Sequence, residues 1–141
     1  MEINEKIALF QKLNTDNVLN ESCFYEILEK CNALKSNYFD YATETPINCD
    51  RELLRVPTAD YDLCCAILTM MLREDHFDNG SFERRQRRGQ VKLVVERIIE
   101  ILGSANLQKN NGFYIGRFEA GTEEPRYEGV ANETDKLVVK R

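Results

Sequence analysis

The stretch Leu63 to Leu72 reads LCCAILTMML, and its reading decides the fold. Thr69 is its only polar residue, so a helix here is apolar almost all round and belongs in the middle of a protein. Asp60 stands where an N-cap is needed, because its carboxylate can accept the free backbone N–H groups of the first turn. At the other end Asn79-Gly80 reads as the stop, since both residues tolerate the left-handed conformation that closes a helix. Next comes Ser81-Phe82-Glu83-Arg84-Arg85-Gln86-Arg87-Arg88-Gly89, a short basic turn or helix bounded by a second glycine. A helical period then resumes. Val91, Val94, Val95, Ile98, Ile101 and Leu102 share one face, while Lys92, Glu96, Arg97 and Glu100 lie opposite, with Lys92 and Glu96 spaced as an i,i+4 pair. Gly103 reads as its end. Two apolar helices joined by a basic connector are the frame.

Upstream, Ile3, Ile7, Phe10 and Leu13 recur at helical spacing and predict a short amphipathic helix, interrupted at Asn14-Thr15-Asp16-Asn17. A second helix is expected from Asn20, its cap, with Phe24, Ile27, Leu28, Cys31 and Leu34 on one stripe. From Ser36 to Thr58 the period fails. Pro46 and Pro57 bias the residues before them to extended backbone, and only Arg51 to Arg55 reads as a helical turn. The aromatics Tyr38, Phe39 and Tyr41 either close the edge of the core or contact a ligand; their large area favours the core. Downstream, Gly112 to Glu119 (GFYIGRFE) suits a strand, Ala120 to Pro125 a turn, Tyr127 to Val130 a return and Lys136 to Lys140 a last strand. The expected fold is therefore mainly α, a single helical domain over residues 1–141 around a central buried helix. Residues 1–103 form the helical body, and residues 104–141 a small C-terminal β hairpin or meander or a partly ordered tail.

With 141 residues the chain suits one domain with its own core. A composition 43% hydrophobic and 30% charged is that of a soluble globular protein. No apolar run approaches the roughly 18 to 20 residues that span a bilayer, since Asp62 and Arg73 bound the longest, so no membrane partner is expected. The start MEINEK is acidic and has no apolar signal region, so a cytoplasmic location is expected by default. Five cysteines without CxxC spacing, two of them adjacent in the apolar stretch, read as reduced, buried small hydrophobes.

Charge is uneven: Ser81 to Arg97 holds six basic and two acidic residues, a net +4 inside a chain of formal charge −5. Four guanidiniums within Arg84, Arg85, Arg87 and Arg88 could grip phosphates. Glu74, Asp75, Asp78 and Glu83 are near enough to pair them, and the acidic remainder disfavours nucleic acid as a partner. Glu74-Asp75-His76-Phe77-Asp78 gathers carboxylates with the chain's single histidine. Neighbours in sequence diverge around a helix and no second histidine completes a ligand set, so no metal site is expected. His76 as an acid or base is outweighed by its place at a helix end, near the last carbonyls. Cys64 and Cys65 lack a base and solvent access, and neither GxxxxGK[ST] nor GxGxxG occurs, so no catalytic centre and no cofactor is expected.

The series Leu68-Thr69, Arg73, Phe77, Gly80, Phe82, Gly89 and Glu96-Arg97-Ile98, spanning Asp60 to Leu102, resembles the core motif of an uncharacterised family of small bacterial proteins. His76 replaces the arginine that precedes the family's phenylalanine, and the tryptophan segment is missing. The resemblance implies a bacterial origin and a helical fold, and no chemistry. By the residues themselves, Arg73 leaves the buried helix, Phe77 covers its end and Gly80 turns the chain. The functional expectation is a binding or regulatory module that meets a protein or an acidic ligand through Arg84, Arg85, Arg87 and Arg88, with Tyr38 and Tyr41 at its side. The alternative is a small-ligand binder or enzyme with a site at Arg73, Glu74, His76 and the connector. A concave site lined by Arg73, His76 and aromatics would favour the alternative, and a flat basic ridge the first reading.

Overall fold

The computed structural model describes residues 1–111, side chains through residue 107, and the expected C-terminal strands lie outside the described residues. Met1–Ser104 forms one compact unit, and the packing described here belongs to it. The described residues are mainly helical: α1 Ile3–Leu13, α2 Glu21–Lys30, α3 Cys49–Leu53, α4 Tyr61–Glu74, α5 Ser81–Arg87 and α6 Gln90–Asn111. Two 3₁₀ turns, Tyr38–Tyr41 and Val56–Thr58, flank α3. Among the described residues no helix is long and apolar enough to cross a membrane.

The stretch that opened the sequence reading is the centre of the core. Every residue from Cys64 to Leu72 in α4 is buried, and Asp60 caps the helix by accepting the Leu63 N–H at 2.9 Å. Thr69 costs nothing in this setting, because its hydroxyl donates to the Cys65 carbonyl at 2.8 Å and accepts the Lys35 N–H at 3.2 Å. Around α4 pack α3, α5 and the first 3₁₀ turn, while α1 pairs with α2. Phe24 of α2 and Phe82 of α5 meet edge to face at 4.9 Å, a favoured aromatic geometry.

Three helix ends differ from the sequence reading. α2 stops at Lys30 and does not carry its stripe to Leu34: Asn32 turns left-handed (φ 55°). The Ala33 N–H then reaches the Leu28 carbonyl at 2.7 Å and the Asn32 N–H the Glu29 carbonyl at 3.1 Å, the double bond that closes a Schellman end. α4 stops at Glu74, before Asn79-Gly80; Gly80, at φ 89°, is instead the residue from which α5 starts. Gly103 ends nothing, since α6 runs through it to Asn111, and a Cβ there would touch no atom within 4 Å. Gly89, at φ 77°, does close α5 as expected.

Candidate functional site

The site is built where the loop after α2 lies over the C-terminal half of α4. Pattern-free in sequence, that loop is fixed by one buried acid. Glu52 of α3 is 0% exposed, and its carboxylate accepts the Thr43 N–H at 2.8 Å, the Thr43 hydroxyl at 2.9 Å and Arg55 Nη1 at 2.6 Å. The same Arg55 nitrogen donates to the Tyr41 carbonyl at 2.7 Å. Burial alone would raise the Glu52 pKa, but the bonds from Thr43 and Arg55 outweigh it and hold the group below its ordinary value.

A second network fixes the opposite side. Arg85 is only 7% exposed, and its guanidinium straddles the Glu74 carboxylate at 2.7 and 3.0 Å. It also donates to Asp50 at 2.8 Å and to Gln90 at 2.9 Å, so one side chain joins α3, α4, α5 and α6. Glu74 beside it raises the Arg85 pKa further. Arg85 is therefore a structural residue and is not presented to a partner, as the expected basic ridge required. Of its companions, Arg84 pairs with Asp78 at 2.8 Å and Arg87 with Glu83 at 2.7 Å. Arg88 is exposed and makes no ion pair among the described residues. Gln86, between them, has a task the composition hid: its amide accepts the Leu19 N–H at 2.8 Å and donates to the Leu19 carbonyl at 3.0 Å, tying α5 to the chain before α2.

Between these two networks opens a groove of about 410 Å³. Tyr38, Phe39, Pro46 and Ile47 form one wall, Cys49 and Met70 contribute apolar surface within it, and Arg73, Glu74 and Phe77 of α4 and its end form the other. The Tyr38 and Phe39 rings stack at 4.4 Å. Phe39 is 63% and Phe77 90% exposed, so Phe77 does not cover the end of α4 as its position suggested. Arg73 is half-buried, with its guanidinium over the Tyr25 ring at 5.6 Å from the centroid. Glu74 lines the groove with its charge already met by Arg85. Cys49 has a thiol that burial pushes up to about 12, so no thiolate is present near neutral pH.

Of the sequence candidates, the structure brings Tyr38, Arg73 and Glu74 into one groove. Tyr41 packs against the core, with its carbonyl held by Arg55. His76 is exposed, its N–H bonded to the Arg73 carbonyl, and it does not line the groove. Phe39, whose area favoured a place at the edge of the core, is exposed on the groove wall instead, and Ile47 and Met70 line the groove without standing out in the sequence. The signal for Met70 was ambiguous, because a buried apolar residue on α4 reads equally as core.

A second, wider concavity of about 520 Å³ lies where α2 and α5 begin, with Glu21, Asp75, Glu83 and Gln86 in its lining. Asp75 accepts the Gly80 and Phe82 N–H groups at 3.0 and 3.1 Å, supplying the cap that Gly80 has no side chain to give. Burial would raise the Asp75 pKa, yet the hydrogen bond from Glu21 and these two N–H groups lower it. Burial and the Asp75 carboxylate raise Glu21 to about 6. Among the described residues no group of three or more His, Cys, Asp or Glu is placed to hold a metal ion.

Fold and site together define a small helical domain with an aromatic-walled groove held open by two buried ion-pair networks. Compared with protein-family models, with curated proteins and with solved structures, the chain matches none.

Proposed function

We propose that this chain is a small-ligand-binding module whose site is the groove between the Tyr38–Tyr41 turn and the end of α4. The observation that carries this reading is the placing of two exposed phenyl rings, Phe39 and Phe77, on a concavity lined within by Ile47, Cys49 and Met70. Exposed aromatic surface grouped around a concavity is what a binding site requires and what a core does not. The volume falls in the range of about 300 to 1,000 Å³ that holds small molecules. Binding is favoured over catalysis because the groove's thiol is un-ionised and its one carboxylate is occupied by Arg85. The connector, with Arg85 buried and Arg84 and Arg87 paired, supports a partner contact less well.

The test is a titration with a neutral environment-sensitive naphthalene dye. Saturable fluorescence enhancement is expected in the wild type, weakened several-fold in Phe39→Ser/Phe77→Ser, whose exposed positions leave the fold intact. Enhancement of equal affinity in both proteins would place the dye elsewhere and remove the groove from consideration.

A further inference from the structure

Arg73 is the one cation of the groove, and it is unneutralised. Arg51, Arg55, Arg84, Arg85, Arg87 and Arg97 each pair with a carboxylate within 4.0 Å. Arg73, half-buried, has no such partner among the described residues. Glu74 faces the same groove but spends both oxygens on Arg85, and Asp75 spends its own on Glu21 and the backbone of α5. What holds the guanidinium in place is Tyr25, through its ring face and its hydroxyl, contacts that leave most of the fork's N–H donors unused.

From this we infer that the ligand is an amphipathic monoanion, an apolar body carrying a single carboxylate that Arg73 binds. The inference rests on the groove reading above and adds the chemistry of the headgroup. A planar fork of donors fits a carboxylate through two parallel hydrogen bonds. Its charge is one, and no other uncommitted cation lines the groove. A phosphate ester with two charges would leave one uncompensated beside Glu74, so phosphomonoesters fit poorly and a carboxylate fits well. The apolar body lies along Ile47, Met70 and the two exposed phenyl rings.

The test uses octanoate, octanamide and octyl phosphate, titrated into the full chain by calorimetry with chemical shifts of the groove methyl groups as the readout of place. Octanoate is expected to bind about tenfold to a hundredfold tighter than octanamide, the usual worth of a hydrogen-bonded charge, and tighter than octyl phosphate. In Arg73→Gln the octanoate preference disappears while octanamide binding persists, which also shows that the variant is folded; Arg73→Lys keeps part of the preference. Equal binding of octanoate and octanamide by the wild type, with groove shifts, overturns the carboxylate inference and leaves the groove reading standing. Tighter binding of octyl phosphate overturns the charge argument. Absence of binding by all three, together with no dye binding, defeats the groove reading itself.

Discussion

Glu21 and Asp75 share one concavity, and their surroundings give the two carboxyl groups opposite proton affinities. Asp75 is held below its ordinary value of 3.8 by the Glu21 hydrogen bond, two backbone N–H groups and the nearby His76. Glu21 is raised from 4.5 to about 6 by burial and by the Asp75 charge. Because the folded chain holds the Glu21 proton more tightly than the unfolded chain, the stability it contributes is complete below pH 4.5 and is lost as pH rises through 6. The Asp75 contribution runs the other way, present above 3.8 and lost as pH falls through its lower folded value, so the two windows do not overlap. Glu21→Gln keeps a donor for Asp75 and has no proton to lose. Its denaturant midpoint should match the wild type near pH 4.5 and exceed it at pH 7; an equal difference at both values would disprove the shared proton. The pair is illegible in the sequence, where Glu21 and Asp75 stand 54 residues apart and Asp75 reads as part of an acidic run. Only tertiary packing joins them: Phe24 of α2 meets Phe82 of α5, and Gln86 holds Leu19 beside the start of α2.

At the scale of elements, four arginines that look alike in the connector do unlike things. Arg85 joins four helices through Glu74, Asp50 and Gln90, and its loss leaves Glu74 partly buried without a countercharge. Arg85→Gln should therefore cost about 3 kcal/mol, against at most about 1 kcal/mol for Arg84→Gln or Arg87→Gln, whose pairs face solvent. Urea denaturation of the three variants separates these cases, and three equal small losses would mean that Arg85 is as dispensable as its neighbours. The pairs Arg84 with Asp78 and Arg87 with Glu83 were legible from close spacing, and the α4 cap and core from periodicity. Helix ends were less so, because a glycine or asparagine permits a stop without imposing one. Asn32 takes the left-handed conformation and Gly103 does not. Gly103→Ala should accordingly stabilise the protein by about 0.5 to 1 kcal/mol; a loss of that size would show α6 ending at this glycine after all.

For the molecule as a whole, the arrangement of charge matters more than its sum. The groove could not be read from any one segment, since its apolar residues come from the irregular loop and from α4 and acquire their shape only when Glu52 and Arg85 fix the elements around them. The basic connector could be read, and its reading as a phosphate grip makes a quantitative demand. Four phosphate contacts would give a slope of about −3 to −4 in log K against log salt. With Arg85 buried and Arg84 and Arg87 engaged, Arg88 remains as the guanidinium of the connector without an ion pair among the described residues. One contact corresponds to a slope of about −1, and the chain's formal charge of −5 repels the polyanion that Arg88 attracts. Binding to generic DNA or RNA at about 150 mM salt should be weaker than about 100 µM, and Arg88→Gln should change it little. Anisotropy titration at several salt concentrations checks this. Micromolar affinity with a slope near −3, abolished by Arg84→Gln/Arg88→Gln, would mean that the ion pairs of α5 open to take phosphates and that the connector, rather than the groove, is the working surface of the protein.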